Sequence, residues 1–216
     1  PICSSPVSVD VGAGRFAVAV SGGRYHTCAI LDDGSVKCWG NNGYGGLGDG
    51  TYTDSGTPSS SVDLGTGLTA VSIATGHYHS CAILSDASLK CWGSNSDGQL
   101  GNGDTSSSNT PVSVAIESVR SVLAVAAGSG HSCAIMDNMS VQCWGSNSAG
   151  QLGDGTTTDS TTPTYVSLAS GSSVAVSDRD LDGDGILNIL DTHISGDDDG
   201  DGVVDTNDDY LNNPAR

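Results

Sequence analysis

The stretch that decides the fold is His26-Thr27-Cys28-Ala29-Ile30, with Cys38-Trp39-Gly40 eight residues further on. It returns as His79-Ser80-Cys81-Ala82-Ile83 with Cys91-Trp92-Gly93, and as His131-Ser132-Cys133-Ala134-Ile135 with Cys143-Trp144-Gly145. A self-similar period of about 52 residues is typical of repeat architectures, in which each unit buries its apolar face against its neighbours. The sequence therefore predicts three stacked units.

Recurring prolines and alternating apolar residues define the units. Pro6, Pro58, Pro111 and Pro163 recur at intervals of 52 or 53 residues, which predicts repeats at about 6–57, 58–110 and 111–162 and a partial fourth at 163–177. Pairs such as Val18 and Val20 alternate with small or polar residues, the period of a half-buried strand, and no stretch of the repeats sustains a helical period. We therefore predict an all-β domain over residues 1–177.

The first hairpin loop places the cysteines. Asp32-Asp33-Gly34 predicts a three-residue loop with Gly34 in the left-handed conformation, which puts Cys28 opposite Cys38. Directly opposed Cα atoms lie about 4.5 Å apart, within the reach of a disulfide. The same offset of ten residues predicts Cys81–Cys91 and Cys133–Cys143. Three disulfides imply an oxidising compartment, so we predict a secreted, extracellular or cell-surface protein.

Alternatives to this pairing stay open at this point. The thiols can be reduced, or His26, Cys28 and Cys38 can form a zinc site, although the repeat supplies no regular fourth zinc ligand. Ala87 and Met139 stand where the first loop has Gly34, which leaves the turn type of those loops open. Cys3 has no counterpart in the repeats, so its partner is undetermined: another chain, a small-molecule cap or none.

The recurring pattern resembles a known repeat family. Gly-x-x-His-[Ser/Thr]-Cys-Ala-Ile, followed by Cys-Trp-Gly-x-Asn-x-x-Gly-[Gln/Gly]-Leu-Gly, is similar to the regulator-of-chromosome-condensation repeat in its secreted bacterial form with paired cysteines. The resemblance covers roughly residues 6–177 and implies four-stranded blades arranged as a β-propeller, usually of seven blades. Three repeats and a fragment are too few to close such a ring, so we predict three propeller-type blades in an incomplete, open propeller. The family's activities are diverse (nucleotide exchange on a small GTPase, chromatin binding, β-lactamase inhibition), and fold alone does not transfer them.

The ends of an open stack suggest a function. Unpaired strand edges are templates for association, and both Pro6–Val20 and Pro163–Val176 consist of partial-blade material. We expect one chain's fragment to complete its neighbour's blade, giving a ring or a filament of head-to-tail copies. The leading hypothesis is thus a secreted, non-catalytic structural protein that self-associates through its end strands. The alternatives are a binding module whose blade loops recognise a protein or a glycan, a piece of a longer protein, and flanking strands that pair within the chain.

A second module is predicted at residues 178–216. Two loops 17 residues apart supply oxygen ligands at positions 1, 3, 5, 7, 9 and 12 of the EF-hand pattern, with Gly at position 6 and Asp in place of the terminal Glu. The predicted ligands are Asp180, Asp182, Asp184, Ile186 (carbonyl), Asn188 and Asp191 in the first loop, and Asp197, Asp199, Asp201, Val203 (carbonyl), Asp205 and Asp208 in the second. The tandem resembles thrombospondin type-3 and dockerin-like repeats. Two bound Ca²⁺ ions are expected.

The net charge of the chain limits the kinds of molecule that it is expected to bind. The 216 residues include 25 acidic and 7 basic side chains, a formal net charge of −18. Such a chain repels phosphate backbones and anionic lipid, so nucleic acid is not an expected partner. No apolar run approaches the roughly 20 residues of a membrane span.

The remaining signals are weaker. Trp39, Trp92 and Trp144 are expected to pack between blades, or, if exposed, to stack on sugar rings, and the His of each repeat is expected to make a structural hydrogen bond. Asn138-Met139-Ser140 is the one glycosylation sequon and falls at a predicted hairpin tip. No catalytic constellation is identified, so enzymatic activity is not expected.

Overall fold

The computed structural model describes residues 8–117 and 119–167, and every regular element in this part is a β-strand. The prediction of an all-β fold is confirmed. The strands are β1 (Ala17–Gly22), β2 (His26–Leu31), β3 (Val36–Gly40), β4 (Ala70–Thr75), β5 (His79–Leu84), β6 (Leu89–Gly93), β7 (Ser108–Ser113), β8 (Val122–Ala127), β9 (His131–Met136), β10 (Val141–Gly145) and β11 (Ser160–Tyr165).

The strands form three antiparallel sheets that follow the chain. The first sheet has the order β1-β2-β3, the second β4-β5-β6-β7 and the third β8-β9-β10-β11. Within each sheet consecutive strands are neighbours, and the innermost strands β1, β4 and β8 contact one another from sheet to sheet. Three successive blades of an open propeller result.

The three-residue loops set the register of the hairpins, so that the two cysteines of each repeat lie directly opposite each other. Cys28 pairs with Cys38, Cys81 with Cys91 and Cys133 with Cys143. Their Cα atoms are 4.1, 4.0 and 4.0 Å apart, and each pair is joined by a disulfide. The predicted pairing is confirmed, and it removes these cysteines from the alternative zinc site.

The three loops keep one conformation although only one has glycine. Gly34, Ala87 and Met139 have φ of +75°, +62° and +61°, all in the left-handed region that glycine adopts most readily. All three loops share a side-chain bond: in the first, Asp33 Oδ1 accepts hydrogen bonds from the backbone N and the Oγ of Ser35 at 3.0 and 2.6 Å. The later loops repeat it with Asp86–Ser88 and Asn138–Ser140. This local bond sets the turn.

The blades are out of phase with the sequence repeat. Pro111 lies in β7 and Pro163 in β11, and these strands are the outermost members of the second and third sheets. The segment 160–165 thus completes the third blade, whereas the proline spacing predicts that a fourth repeat begins at Pro163. The first sheet has only an isolated bridge, Gly40 to Ser55, at the position of this outer strand.

The core lies between the sheets. One apolar cluster joins Ile30 and Val36 of the first sheet to Leu84 and Trp92 of the second, and a similar cluster joins the second sheet to the third. Each sheet therefore has a leading face, directed toward the preceding sheet, and a trailing face, directed toward the following one. Among the described residues no sheet covers the leading face of the first blade or the trailing face of the third.

This arrangement alters the expected association surface. β1 pairs with β2 and β11 pairs with β10, so the strands that the structure describes in the two terminal segments are already paired within the chain. Within residues 8–117 and 119–167 the surfaces without a neighbouring blade are sheet faces, whereas the sequence predicts association through strand edges. Within residues 8–117 and 119–167 no helix is long and apolar enough to cross a membrane.

Candidate functional site

A shared carbonyl joins the first two blades. The Gly46 carbonyl accepts hydrogen bonds from Trp92 Nε1 at 2.9 Å and from Ser80 Oγ at 2.9 Å, both from the second blade. Ser80 Oγ also lies 2.8 Å from His26 Nε2 of the first blade. Because Ser80 donates its only hydrogen to Gly46, His26 Nε2 is the donor in the second bond.

The same unit joins the second and third blades. The Gln99 carbonyl accepts from Trp144 Nε1 and Ser132 Oγ, each at 3.0 Å. His79 Nε2 lies 2.9 Å from Ser132 Oγ. Trp92 and Trp144 are completely buried, which confirms their predicted role in blade packing and excludes them as sugar-stacking surfaces. We call this arrangement the blade junction.

Several positions at the blade junction require glycine, because a Cβ there would collide with a neighbouring side chain. A Cβ on Gly48 would lie 2.7 Å from Trp92 Nε1, and one on Gly101 would lie 2.6 Å from Trp144 Nε1. Both glycines also have positive φ. A Cβ on Gly76 would overlap His79 Cε1, so the Gly-x-x-His spacing of the sequence lets the imidazole lie against the backbone.

A buried asparagine holds each acceptor loop, a role that the sequence analysis did not assign. Asn42 Oδ1 accepts from Leu47 N at 3.0 Å, and Asn42 Nδ2 donates to the Thr51 carbonyl at 3.1 Å. Asn95 and Asn147 make the corresponding bonds, and all three side chains are fully buried. The signal was available, because Asn recurs three residues after each Trp.

Burial keeps the junction histidines neutral. Desolvation lowers the pKa of His26 to about 4, and desolvation, together with the neighbouring histidines, lowers that of His79 to about 3. The buried Nδ1 of His79 has no hydrogen-bond partner among the described residues, so a proton there would be unsolvated. His131 is less enclosed, and burial lowers its pKa as well.

The leading face of the first blade carries the donor half of a junction. Trp39 and Thr27 occupy the positions of Trp92 and Ser80, but Trp39 is only half-buried. It lines a hollow of about 680 Å³ together with Val9, Lys37 and other residues. Val20 on β1 is 68% exposed. Within the described part of the chain, neither Trp39 Nε1 nor Thr27 Oγ1 meets an acceptor.

The trailing face of the third blade carries the acceptor half. Gln151 is the counterpart of Gly46 and Gln99, and no donor among residues 8–117 and 119–167 reaches its carbonyl. Ile135 is 40% exposed, whereas its counterparts Ile30 and Ile83 are buried. It lines an apolar groove of about 270 Å³ that also includes Cys133, Ala124, Ala126 and Val141. The two uncovered faces are therefore the complementary halves of a blade junction.

The remaining predicted site residues are the calcium ligands and the glycosylation sequon. The twelve predicted Ca²⁺ ligands from Asp180 to Asp208, and the predicted boundary at 177/178, lie outside the described residues. Asn138 is exposed in the β9–β10 loop, and its glycosylation stays a prediction. The described residues contain no group of three or more His, Cys, Asp or Glu side chains arranged to hold a metal ion.

Comparison with known proteins identifies the repeats. The profile described as "Regulator of chromosome condensation (RCC1) repeat" matches residues 33–83, 89–135 and 140–177, and a second profile of the same description matches 17–45, 70–99 and 122–151. The "Ultraviolet-B receptor UVR8" of Arabidopsis thaliana is 34% identical over 174 residues, which are 80% of this chain and 39% of the relative. The human "E3 ubiquitin-protein ligase HERC2" is 32% identical over 73% of this chain but only 3% of its own length.

Solved structures agree on the fold. The crystal structure of Prp20p from Saccharomyces cerevisiae, titled for "Its Binding Properties to Gsp1p and Histones", matches with a TM-score of 0.64 at 24% identity over 71% of this chain and 39% of that one. The chain thus spans well under half of the length of these relatives. The three matched repeats show that the chain belongs to the regulator of chromosome condensation (RCC1) repeat family.

Proposed function

We propose that the chain assembles head to tail with copies of itself, the leading face of one copy packing against the trailing face of the next. The observation that carries the proposal is the complementarity of the two uncovered faces. On the leading face, Thr27 and Trp39 supply the hydrogen-bond donors. Inside the chain the same donors come from Ser80 and Trp92 at the first junction, and from Ser132 and Trp144 at the second. Gln151 and His131 supply the acceptor carbonyl and the imidazole.

Apolar surface provides the driving force for this contact. Val20 and Ile135 are exposed at the two ends of the stack, where no blade within residues 8–117 and 119–167 covers them. Fully burying an exposed side chain of this size contributes about 1.5–3 kcal/mol before the cost of association, and the exposed 68% of Val20 and 40% of Ile135 supply a part of that contribution. Since the two faces differ, the contact is heterologous and gives a ring if the rotation closes and a filament if it does not.

Sedimentation velocity of the parent chain over a range of concentrations tests the proposal. We expect species at multiples of 21.6 kDa, and a shift to the monomer in the Trp39→Ala variant. Tyr52→Ala is the matched control, since Tyr52 is an exposed aromatic residue that lines neither the Trp39 hollow nor the Ile135 groove, and it should sediment like the parent. A parent that remains a 21.6 kDa monomer at every concentration contradicts the proposal, as does unchanged assembly of Trp39→Ala.

We further propose that the assembly is extracellular. The three disulfides are consistent with an oxidising compartment, and blade disulfides that face the next blade place a covalent link beside each junction.

Calcium binding at residues 178–216 is part of the proposal and is supported by the ligand spacing of the two loops. Isothermal titration with CaCl₂ should give about two ions per chain. Asp180→Ala and Asp197→Ala should each abolish one of the two sites. Asp198→Ala changes an acidic residue at a position that is not a ligand and should leave both sites intact. Equal losses in all three variants would contradict the ligand assignment.

A further inference from the structure

Three tyrosines form an exposed cluster at one end of the first junction. Tyr78 lies between Tyr44 and Tyr25, with ring centroids 4.8 and 5.5 Å apart, and the ring of His77 is 5.5 Å from Tyr78. Tyr25 and Tyr44 are each 49% exposed. Among the described residues none of the three phenol hydroxyls has a hydrogen-bond partner. We call this group the tyrosine platform.

A fixed cation borders the platform. The Arg24 guanidinium lies 4.9 Å from the centroid of the Tyr25 ring, and Arg24 Nη1 donates to His77 Nε2 at 2.7 Å. His77 Nδ1 lies 3.0 Å from Ser129 Oγ, so the imidazole is held from both sides. Stacking and hydrogen bonding thus position Arg24 while leaving other guanidinium N–H groups available as donors.

The junction does not require these aromatic residues. At the second junction Ser129, Gly130 and Asp97 stand at the positions of His77, Tyr78 and Tyr44. That junction nevertheless makes the same Trp, Ser and His hydrogen bonds as the first. The tyrosines therefore serve something other than blade packing.

Charge and shape select the class of ligand. A cationic ligand would be repelled by Arg24, and a polyanion would be repelled by a chain of net charge −18. Tyrosine rings offer apolar faces with polar tips, which suits the apolar face and hydroxyl rim of a neutral sugar. We propose that the tyrosine platform binds a neutral oligosaccharide, with Tyr25, Tyr44 and Tyr78 stacking on sugar rings and Arg24 donating to sugar hydroxyls.

This site goes beyond the proposed self-assembly. Tyr44 and Tyr78 come from different blades and meet across the first internal junction, and none of the platform residues lies in the uncovered faces described above. Carbohydrate binding and assembly can therefore fail or succeed independently.

NMR or calorimetric titration of the full chain with defined probes tests the inference. The neutral probes are cellohexaose, maltohexaose, mannohexaose and chitohexaose, and the charged probes are a hyaluronan hexasaccharide, an oligogalacturonate and an oligoarginine peptide. We expect at least one neutral probe to bind. Tyr78→Ala should weaken that binding about tenfold, while Tyr78→Phe, which retains the ring, should retain most of it.

Two controls make the test specific. Tyr52 and Tyr165 are each 53% exposed and have no aromatic neighbour among the described residues, so Tyr52→Ala and Tyr165→Ala should bind like the parent. Thermal unfolding of each variant, with its disulfides intact, confirms folding. The inference is overturned if no neutral probe binds at millimolar concentration, if the control variants lose affinity equally, or if a charged probe binds more tightly than every neutral one.

Discussion

Trp92 and Trp39 occupy the same place in the same motif, yet their surroundings differ. Trp92 is completely buried and donates to the Gly46 carbonyl, whereas Trp39 lines an open hollow. Ile83 and Ile135 differ in the same way on the opposite faces. Each repeat therefore carries both halves of a junction, and a half is buried and hydrogen-bonded where a neighbouring blade lies against it.

The largest effect expected from this comparison is on stability. Trp92→Ala leaves a cavity between two blades and removes a donor, so it should lower the free energy of unfolding by about 3–5 kcal/mol. Trp39→Ala, measured at a concentration at which the chain is monomeric, should cost less than Trp92→Ala, because Trp39 is only half-buried and no acceptor among the described residues reaches its Nε1. Urea unfolding of both variants measures the difference. Equal losses would break the distinction between internal and open faces.

The pH dependence of stability should differ between a histidine at an internal junction and a histidine on an open face. The folded pKa of His79 is about 3, below its ordinary value of about 6.5, so its contribution to stability is fully present above pH 6.5 and is lost as the pH falls. At pH 5 the loss amounts to about 2 kcal/mol, because the unfolded chain binds the proton and the folded chain does not. His79→Gln should flatten the dependence of unfolding on pH between 7 and 5. His131→Gln should flatten it less, since His131 is less buried, and the reverse order would contradict this reading.

The glycines beneath the tryptophans provide a matched pair with a smaller effect. Gly101→Ala and Gly153→Ala carry the same backbone strain, since both glycines have a φ of +66°. Only at Gly101 does the new Cβ collide with a tryptophan. At Gly153 the nearest atom is Val166 Cγ1 at 3.1 Å. We expect Gly101→Ala to be more destabilising by about 1–2 kcal/mol, as measured by thermal unfolding of the monomer.

The smallest effect is expected in the hairpin loops. Ala87→Gly and Met139→Gly relieve a left-handed conformation at the cost of a more flexible unfolded chain, so each should change the free energy of unfolding by less than about 1 kcal/mol. Gly34→Ala should be clearly destabilising, because its Cβ would lie 2.5 Å from Thr69 Cβ of the next blade. If all three variants changed the free energy of unfolding by similar amounts, the contact between Gly34 and Thr69 of the next blade would not explain the need for glycine in the first loop.

Local spacing explains what could be predicted from the sequence. The three-residue loop at Gly34 sets the register that places Cys28 opposite Cys38, so the disulfides followed from chain geometry alone. The recurrence of the motif and of the alternating apolar pairs predicts three stacked β units, and the resemblance to the regulator-of-chromosome-condensation repeat implies that these units are blades.

The remaining features depend on contacts between repeats. Aligning the three repeats with one another does not reveal that Trp92 donates a hydrogen bond to the carbonyl of a residue 46 positions earlier. It also does not reveal that Pro163 lies in the outermost strand of the third blade. It also does not bring Tyr44 and Tyr78 together, because their proximity results from stacking two blades. Identical motifs give identical sequence signals, so the open and buried copies become distinguishable only in three dimensions.

Mixing two variants, each altered on a different face, shows by mass photometry whether the leading and trailing faces bind each other. Val20→Asp places a charge on the leading face and Ile135→Asp places one on the trailing face, and both side chains are exposed, so folding should be retained. Each variant alone should remain a 21.6 kDa monomer, while an equimolar mixture should form a species of twice that mass and nothing longer, since only one compatible pair of faces remains. A mixture that stays monomeric while the parent assembles, or variants that assemble as the parent does, would contradict the claim that the two faces are halves of one junction.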